Sequence, residues 1–238
     1  MHDYSQKARI YWWIMALTGF GLLAFALGRL ASQPSTTLMQ VVLICVFVCA
    51  GAFFPVRMPG ATQSFAAGDI YIFLALLVIG VEAAAVVAAV EGAVGALRTS
   101  KRWTSWFGTP AAAAIATTLS GFALLTAQGM LQTNGKLSGA TTLLTLTAFA
   151  MLYFALCNLL PSLLMALKRN ERLDVGAVLK DRSWMALAHL CSIAMASLLH
   201  LGGAKVDGWL LLSALPVILI SQWVAHNTLE RVAVESQV

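Results

Sequence analysis

Six polar side chains lie within or at the ends of long apolar stretches, and they are the residues of this sequence best suited to bind a ligand. If those stretches cross a membrane, an ionisable group inside them costs about 3 kcal/mol or more unless it is paired or hydrated, and it indicates a functional site by default. The six candidate ligand-binding residues are Asp69, Glu82, Glu91, Asn158, His189 and Gln222.

The three carboxylates differ in their place along the chain. Asp69 directly follows Gly68 and opens the apolar run IYIFLALLVIG, so it can either cap the first turn of a helix or contact a ligand. Glu82, two residues after Gly80, has the same two interpretations. Glu91 lies nine residues further on, about 13 Å along a helix and on the opposite face from Glu82. For Glu91, a structural ion pair or hydrogen bond and a sensing or ligand role both stay open.

His189 is the candidate proton-responsive group. It shares a helix face with His200, eleven residues later, but the two lie about 16 Å apart, too far to hold one metal ion together. Beside a buried carboxylate His189 could titrate near neutral pH; the alternative is a histidine hydrogen-bonded within a bundle. Asn158, before Pro161, and Gln222 add polar groups that either line a cavity or bond to neighbouring helices.

Catalytic and cofactor motifs are absent from the sequence. It contains no phosphate-binding glycine loop, no HExxH and no CxxC. An integral membrane enzyme usually needs clustered Asp, Glu or His to hold a metal or activate water, and this chain has few of them. We therefore expect a protein that is not an enzyme and that holds no metal or cofactor.

The composition determines the class of protein. Of the 238 residues, 60% are hydrophobic and only 11% are charged, whereas a soluble domain carries about 25% charged residues. A soluble enzyme and a disordered chain are excluded, and four Cys are too few for a disulfide scaffold. The apolar runs are long and unbroken, which excludes the alternating pattern of a transmembrane barrel.

The apolar segments and the basic residues predict a topology. Segments of about 20 residues, the length of one crossing, run over 10–30, 36–54, 109–131, 138–167, 184–201 and 208–229. The stretch 69–97 is either one unusually long helix or two short helices broken at Gly80. If residues 69–97 form a hairpin of two short helices, only three of the fifteen Lys and Arg residues lie on the outer side: Arg29, Lys136 and Lys205. This distribution agrees with the positive-inside rule. The sequence therefore predicts an all-α, polytopic transmembrane bundle of seven to eight segments, with one broken or hairpin pair of short helices and both termini cytoplasmic.

Small and aromatic residues predict how the segments pack and where they end. Small residues recur at helical spacing, which lets helix backbones approach closely in lipid: Ala88, Gly92 and Ala96, and then Ala113, Thr117 and Gly121. Six tryptophans stand near segment ends, where the indole suits the headgroup zone: Trp12, Trp13, Trp103, Trp106, Trp184 and Trp209.

The run from PVRMPG through GDIYIFL, GVEA and the Glu91–Gly92 pair to SKRW resembles the membrane-embedded N-terminal sensor modules that precede GGDEF, EAL and HD-GYP output domains in bacterial cyclic-di-GMP signalling proteins. The resemblance covers residues 53–116, about a quarter of the chain, and the 238 residues include no output domain. It implies a multi-pass protein of the bacterial inner membrane. The Pro/Gly loop and the acidic residue that opens a short helix are also similar, more loosely, to the substrate-binding subunits of energy-coupling-factor vitamin transporters.

The C-terminal residues favour the first resemblance. After Trp223 the sequence VAHNTLERVAVESQV continues without a Gly or Pro helix stop. We expect a membrane sensor domain over residues 1–227 and the start of a cytoplasmic signalling helix over 228–238; the alternative for the last residues is a freely ending juxtamembrane helix. The predicted function is to bind a small molecule, ion or lipid in an intramembrane cavity and to signal through the C-terminal helix, and the alternative is vitamin-type uptake. The expected partners are the lipid bilayer, an unidentified small-molecule ligand and a cytoplasmic output domain, with a homodimer left open and no nucleic acid.

Overall fold

The computed structural model describes residues 4–52, 56–57, 64–65, 68–136 and 138–202. Eight helices lie in these ranges: α1 (Gln6–Ala31), α2 (Ser35–Ala52), α3 (Asp69–Val78), α4 (Val81–Thr99), α5 (Trp103–Thr133), α6 (Gly139–Arg169), α7 (Val175–Asp181) and α8 (Ser183–Gly202). Two short strands, β1 (Val56–Arg57) and β2 (Ser64–Phe65), pair antiparallel between α2 and α3, with Val56 opposite Phe65. The described part is otherwise helical, as the sequence predicts.

Three of these helices are long and apolar enough to cross a membrane, namely α1, α5 and α6. The pair α7 and α8 makes a fourth if it is counted as one span bent by 63°. Helices α2 and α3 are shorter apolar helices, and the predicted segment 208–229 lies outside the described residues. These observations confirm the predicted helical architecture and agree with a membrane protein, while the count of seven to eight crossings stays a prediction.

The ends of the helices follow local sequence signals. Ser5 caps α1 by accepting a hydrogen bond from the backbone N–H of Ala8, and Ser138 forms a capping box at the start of α6. Asn170 ends α6 in the left-handed conformation, at φ 57°. Gly80 separates α3 from α4 at φ 133°, a backbone conformation that favours glycine. The predicted break at Gly80 is therefore confirmed.

Helix α3 lies at the centre of the bundle. It packs against α2, α4 and α8, and the six consecutive residues from Tyr71 to Leu76 are all buried. A second, smaller apolar cluster joins α1 to α5. Because α3 has only ten residues, it spans about 15 Å, roughly half the hydrocarbon thickness of a bilayer. Helix α3 alone is therefore too short to cross a bilayer.

Small residues allow the helices around α3 to approach closely. A Cβ atom added at Gly19 would lie 2.5 Å from the backbone of Ala111 on α5, and one added at Gly92 would lie 3.3 Å from the Pro110 backbone. Gly121 meets the side chain of Val81 in the same way, at 3.0 Å. The close approach predicted for Gly92 and Gly121 is confirmed.

Side chains at the two ends of the bundle fix the relative direction of the helices. At one end, the Ser5 hydroxyl donates to the Leu167 carbonyl at 2.7 Å, which joins the start of α1 to the end of α6. At the other, Arg29 near the end of α1 lies 3.7 Å from Glu82 at the start of α4. Trp12 packs inside the bundle, because it is buried against α5 and its indole N–H donates to the Thr104 carbonyl at 3.0 Å; its depth in a membrane stays a prediction.

Candidate functional site

Asp69 is the residue around which the polar groups of three helices meet. It stands in the first turn of α3 and is only 7% exposed. The Tyr153 hydroxyl of α6 donates to its Oδ1 at 3.2 Å, and His189 Nε2 of α8 lies 3.5 Å from its Oδ2. Among the described residues, its hydrogen bond goes to a neighbouring helix and not to the N–H groups of α3. This placement does not support the helix-capping role, and the ligand-contact role stays a prediction.

The imidazole of His189 is oriented by its own helix. Its Nδ1 lies 2.6 Å from the carbonyl oxygen of Met185, one turn earlier. A carbonyl oxygen can only accept, so Nδ1 carries a hydrogen in this contact. The other ring nitrogen, Nε2, therefore faces Asp69. A hydrogen bond between Nε2 and the Asp69 carboxyl group requires one proton, which the two groups share. The Asp69–His189 pair can therefore exist as two neutral groups or as an ion pair without any change in net charge.

Aromatic rings surround this pair. Phe73 makes edge contacts with both Phe149 and Tyr153 at centroid distances of 5.2 Å. Tyr153 and Phe154 approach the His189 ring at 5.4 and 5.9 Å. An environment of this kind excludes water and strengthens every electrostatic interaction inside it.

Glu91 brings a second carboxylate to the same place. A Cβ atom at Gly68 would collide with Glu91 Oε1, so the Glu91 carboxylate lies directly against the backbone that precedes Asp69. The two carboxylates are close enough to interact electrostatically. This contact exists only because position 68 is glycine, and it fixes α4 against the start of α3. We call the set of Asp69, Glu91, Tyr153 and His189 the polar centre.

Two thiols complete the titratable groups that face the polar centre in the described ranges. Cys157 lies next to the Tyr153 hydroxyl, one turn further along α6, and Cys49 of α2 is near Glu91. In this part of the chain no group of three His, Cys, Asp or Glu side chains could hold a metal ion. The side chains of the polar centre can form hydrogen bonds and exchange protons.

The other candidate residues lie elsewhere. Glu82 pairs with Arg29 at the far end of α1. Asn158 is buried, but its amide donates to the Phe154 carbonyl at 2.8 Å and its Oδ1 accepts from Arg182 at 3.2 Å. It therefore anchors Arg182 and does not join the polar centre. Gln222 lies outside the described residues.

Sequence reasoning missed Tyr153 and Arg182. Tyr153 stands in the middle of a spanning helix, and Cys157 and Pro161 follow it at intervals of four on the same face. A tyrosine at that depth needs a hydrogen-bond partner, which was the signal available. Nothing in the local sequence indicates that Arg182 reaches back to Asn158, because the contact depends on how α7 folds against α6.

In comparisons with known proteins, no family model, no curated protein and no solved structure matches the chain.

Proposed function

We propose that this protein is an integral membrane sensory module whose sensing element is the polar centre, and that its simplest signal is a change in the proton held there. The observation that carries the proposal is the contact of Asp69 with Tyr153 of α6 and His189 of α8 at the buried start of α3. A change at Asp69 therefore acts on two other helices at once.

A purely structural role would be served by less costly residues. Ionisable groups at membrane depth are rare and usually mark substrate, ion or proton sites. Short helices that begin inside the bundle are a further feature of membrane binding sites. Helix α3 combines both features, because its ten residues begin at Asp69.

Helix α8 is the element through which a change would pass. His189 is held by its own helix through Met185 and faces Asp69 across the interface between α3 and α8. Moving the shared proton or adding another alters the attraction between these two helices. Transmission onward through residues 203–238 to a cytoplasmic output, and location in the bacterial inner membrane, stay predictions, as does the uptake alternative.

The proposal is tested by measuring the position of α8 as pH changes. Cys191 is exposed on α8 and Leu17 is exposed on α1. Nitroxide labels at Cys191 and at Leu17→Cys, in a variant whose other cysteines are replaced by Ala, report the distance between the two helices by pulsed electron paramagnetic resonance. In liposomes we expect this distance to change by about 2 Å between about pH 8 and pH 5.

Two variants show whether the change comes from the polar centre. Asp69→Asn keeps the shape of the side chain but removes its charge, and it should abolish the change in distance. Glu82→Gln makes the same chemical change in the residue that pairs with Arg29, and it should leave the response intact. An α8 that stays in place at both pH values, or an Asp69→Asn variant that responds normally, contradicts the proposal.

A further inference from the structure

A cavity of about 300 Å³ lies between the last turns of α6 and helix α7. Three arginines line it, Arg169, Arg172 and Arg182, together with Ser162 of α6. The cavity is separate from the polar centre, and its volume is at the lower end of the range of about 300–1,000 Å³ for ligand pockets. It can therefore hold a small group and not a large solute.

Ser162 of the cavity lining carries an unused hydrogen-bonding group, whose oxygen is buried from solvent. The residue is 8% exposed, and its Oγ has no hydrogen-bond partner among the described residues. Other serines in this bundle bond to the carbonyl four residues earlier, as Ser197 does to Ile193 at 2.7 Å. For Ser162 that carbonyl belongs to Asn158, and in the structure it accepts from Arg182 Nη1 at 3.3 Å. A buried hydroxyl without a partner is costly, so a ligand atom that bonds to it would gain more than one that bonds to an exposed hydroxyl.

The charge around the cavity favours an anion. Three guanidinium groups face two carboxylates, Glu171 and Asp174. Asp174 is already engaged, because its Oδ1 accepts from the backbone N–H of Ala177 at 2.9 Å and so caps α7. Glu171 is exposed at the rim. The lining therefore carries three positive and two negative charges, and Asp181, outside the lining, also interacts electrostatically with Arg182.

We propose that this cavity binds a phosphate group, either the headgroup of an anionic phospholipid or a free phosphate compound. Guanidinium groups present paired N–H donors that match two phosphate oxygens at once. The Ser162 hydroxyl donates to a further oxygen. The cavity has room for a headgroup of this size, and its place beside the end of α6 suits a ligand that lies at the membrane surface.

The phosphate site is also connected to the polar centre through α8. The importance of this connection rests on the proposed function. Arg182 directly precedes α8, and His189 follows it by seven residues, about two turns. A phosphate that orders Arg182 would therefore stabilise the first turns of α8 in the position that sets His189 against Asp69. Binding itself does not depend on this step.

Titration of the purified full chain in a neutral maltoside detergent tests the site. The probes are inorganic phosphate and dihexanoyl phosphatidic acid, with sodium chloride at matched ionic strength as the reference, and the readouts are calorimetric Kd and melting temperature. Arg172→Gln should raise Kd about tenfold. Lys180→Gln, an equal loss of charge at an exposed residue of α7 outside the cavity lining, should leave Kd unchanged.

Ser162→Ala gives the most discriminating result. Because the unliganded hydroxyl has no described partner, its removal should leave the melting temperature of the free protein unchanged or higher, while Kd rises severalfold. Binding of inorganic phosphate with this pattern of variants identifies a free phosphate compound, and binding of phosphatidic acid alone identifies a lipid headgroup. No binding of either probe, or binding that Ser162→Ala leaves intact, overturns the proposal. The movement of α8 with pH is measured separately, so failure of the sensory proposal would be recognised independently.

Discussion

Replacing Tyr153 by Phe removes one hydroxyl from the polar centre and leaves its ring contacts in place. The hydroxyl donates to Asp69 Oδ1 at 3.2 Å, at the long end of the usual range. A hydrogen bond to a charged group contributes about 1.5–3 kcal/mol, whereas hydrogen bonds between membrane helices average about 0.6 kcal/mol. Since this bond joins α6 to a buried carboxyl group, we expect Tyr153→Phe to lower the free energy of unfolding by about 1–2 kcal/mol.

Tyr71 provides the matched control. It is also buried, and its ring stacks on Phe47 with centroids 5.7 Å apart. Its hydroxyl has no hydrogen-bond partner among the described residues. Tyr71→Phe therefore removes a buried polar group that makes no described bond, and it should leave stability unchanged or raise it by up to about 1 kcal/mol.

The assay is reversible unfolding of the purified protein in mixed micelles with increasing dodecyl sulfate, followed by far-ultraviolet circular dichroism. The two variants should differ in sign or by at least about 1 kcal/mol. If Tyr71→Phe loses as much stability as Tyr153→Phe, losing a hydroxyl with a bond costs no more than losing one without. The hydrogen bond from Tyr153 to Asp69 would then make no measurable extra contribution to stability.

Two further predictions concern helix packing and the surface, and both use the same unfolding assay. Gly19→Ala should lower the free energy of unfolding by about 1–3 kcal/mol, because its Cβ would lie 2.5 Å from the backbone of Ala111. Gly21→Ala, with nothing within 4 Å, should be neutral or stabilising by up to about 1 kcal/mol, and equal effects at positions 19 and 21 would contradict the close approach of α1 and α5. Arg29→Gln should cost less than about 0.5 kcal/mol, because Arg29 is 64% exposed in its pair with Glu82; a loss above 1 kcal/mol would show that the pair is structurally important.

The helices and their breaks could be predicted from the sequence because they depend on local properties. Gly80 separates two apolar runs, and its positive φ explains why the helix stops there. The small residues at Gly92 and Gly121 lie at helical spacing, so the face that packs closely could be found from the sequence. Each of these signals lies within a few residues of the feature it predicts.

The contacts of the polar centre could not be predicted in this way. The sequence places Asp69, Glu91 and His189 in three separate segments, and no spacing rule connects positions 84 or more residues apart, such as Asp69 and Tyr153. Trp12 shows the same limit, because its place near the end of an apolar segment suggested a headgroup position whereas packing against α5 buries it. Contacts of this kind depend on which helices become neighbours, and that is decided by the packing of the whole bundle.

The distances around Asn158 and Asp69 distinguish a structural polar group from one that can change state. The side chain of Asn158 has fixed partners on both its nitrogen and its oxygen, at 2.8 and 3.2 Å, so a ligand would have to break an existing bond. The contact between Asp69 Oδ2 and His189 Nε2 is longer, at 3.5 Å, although both groups are held in place from behind, by Tyr153 and Met185. A hydrogen bond between them is usually about 2.7–3.2 Å long, so a small shift of either side chain would strengthen this contact. If the proposed sensory function is correct, the interface between these two helices is where a change of proton or ligand occupancy would alter the packing of the bundle.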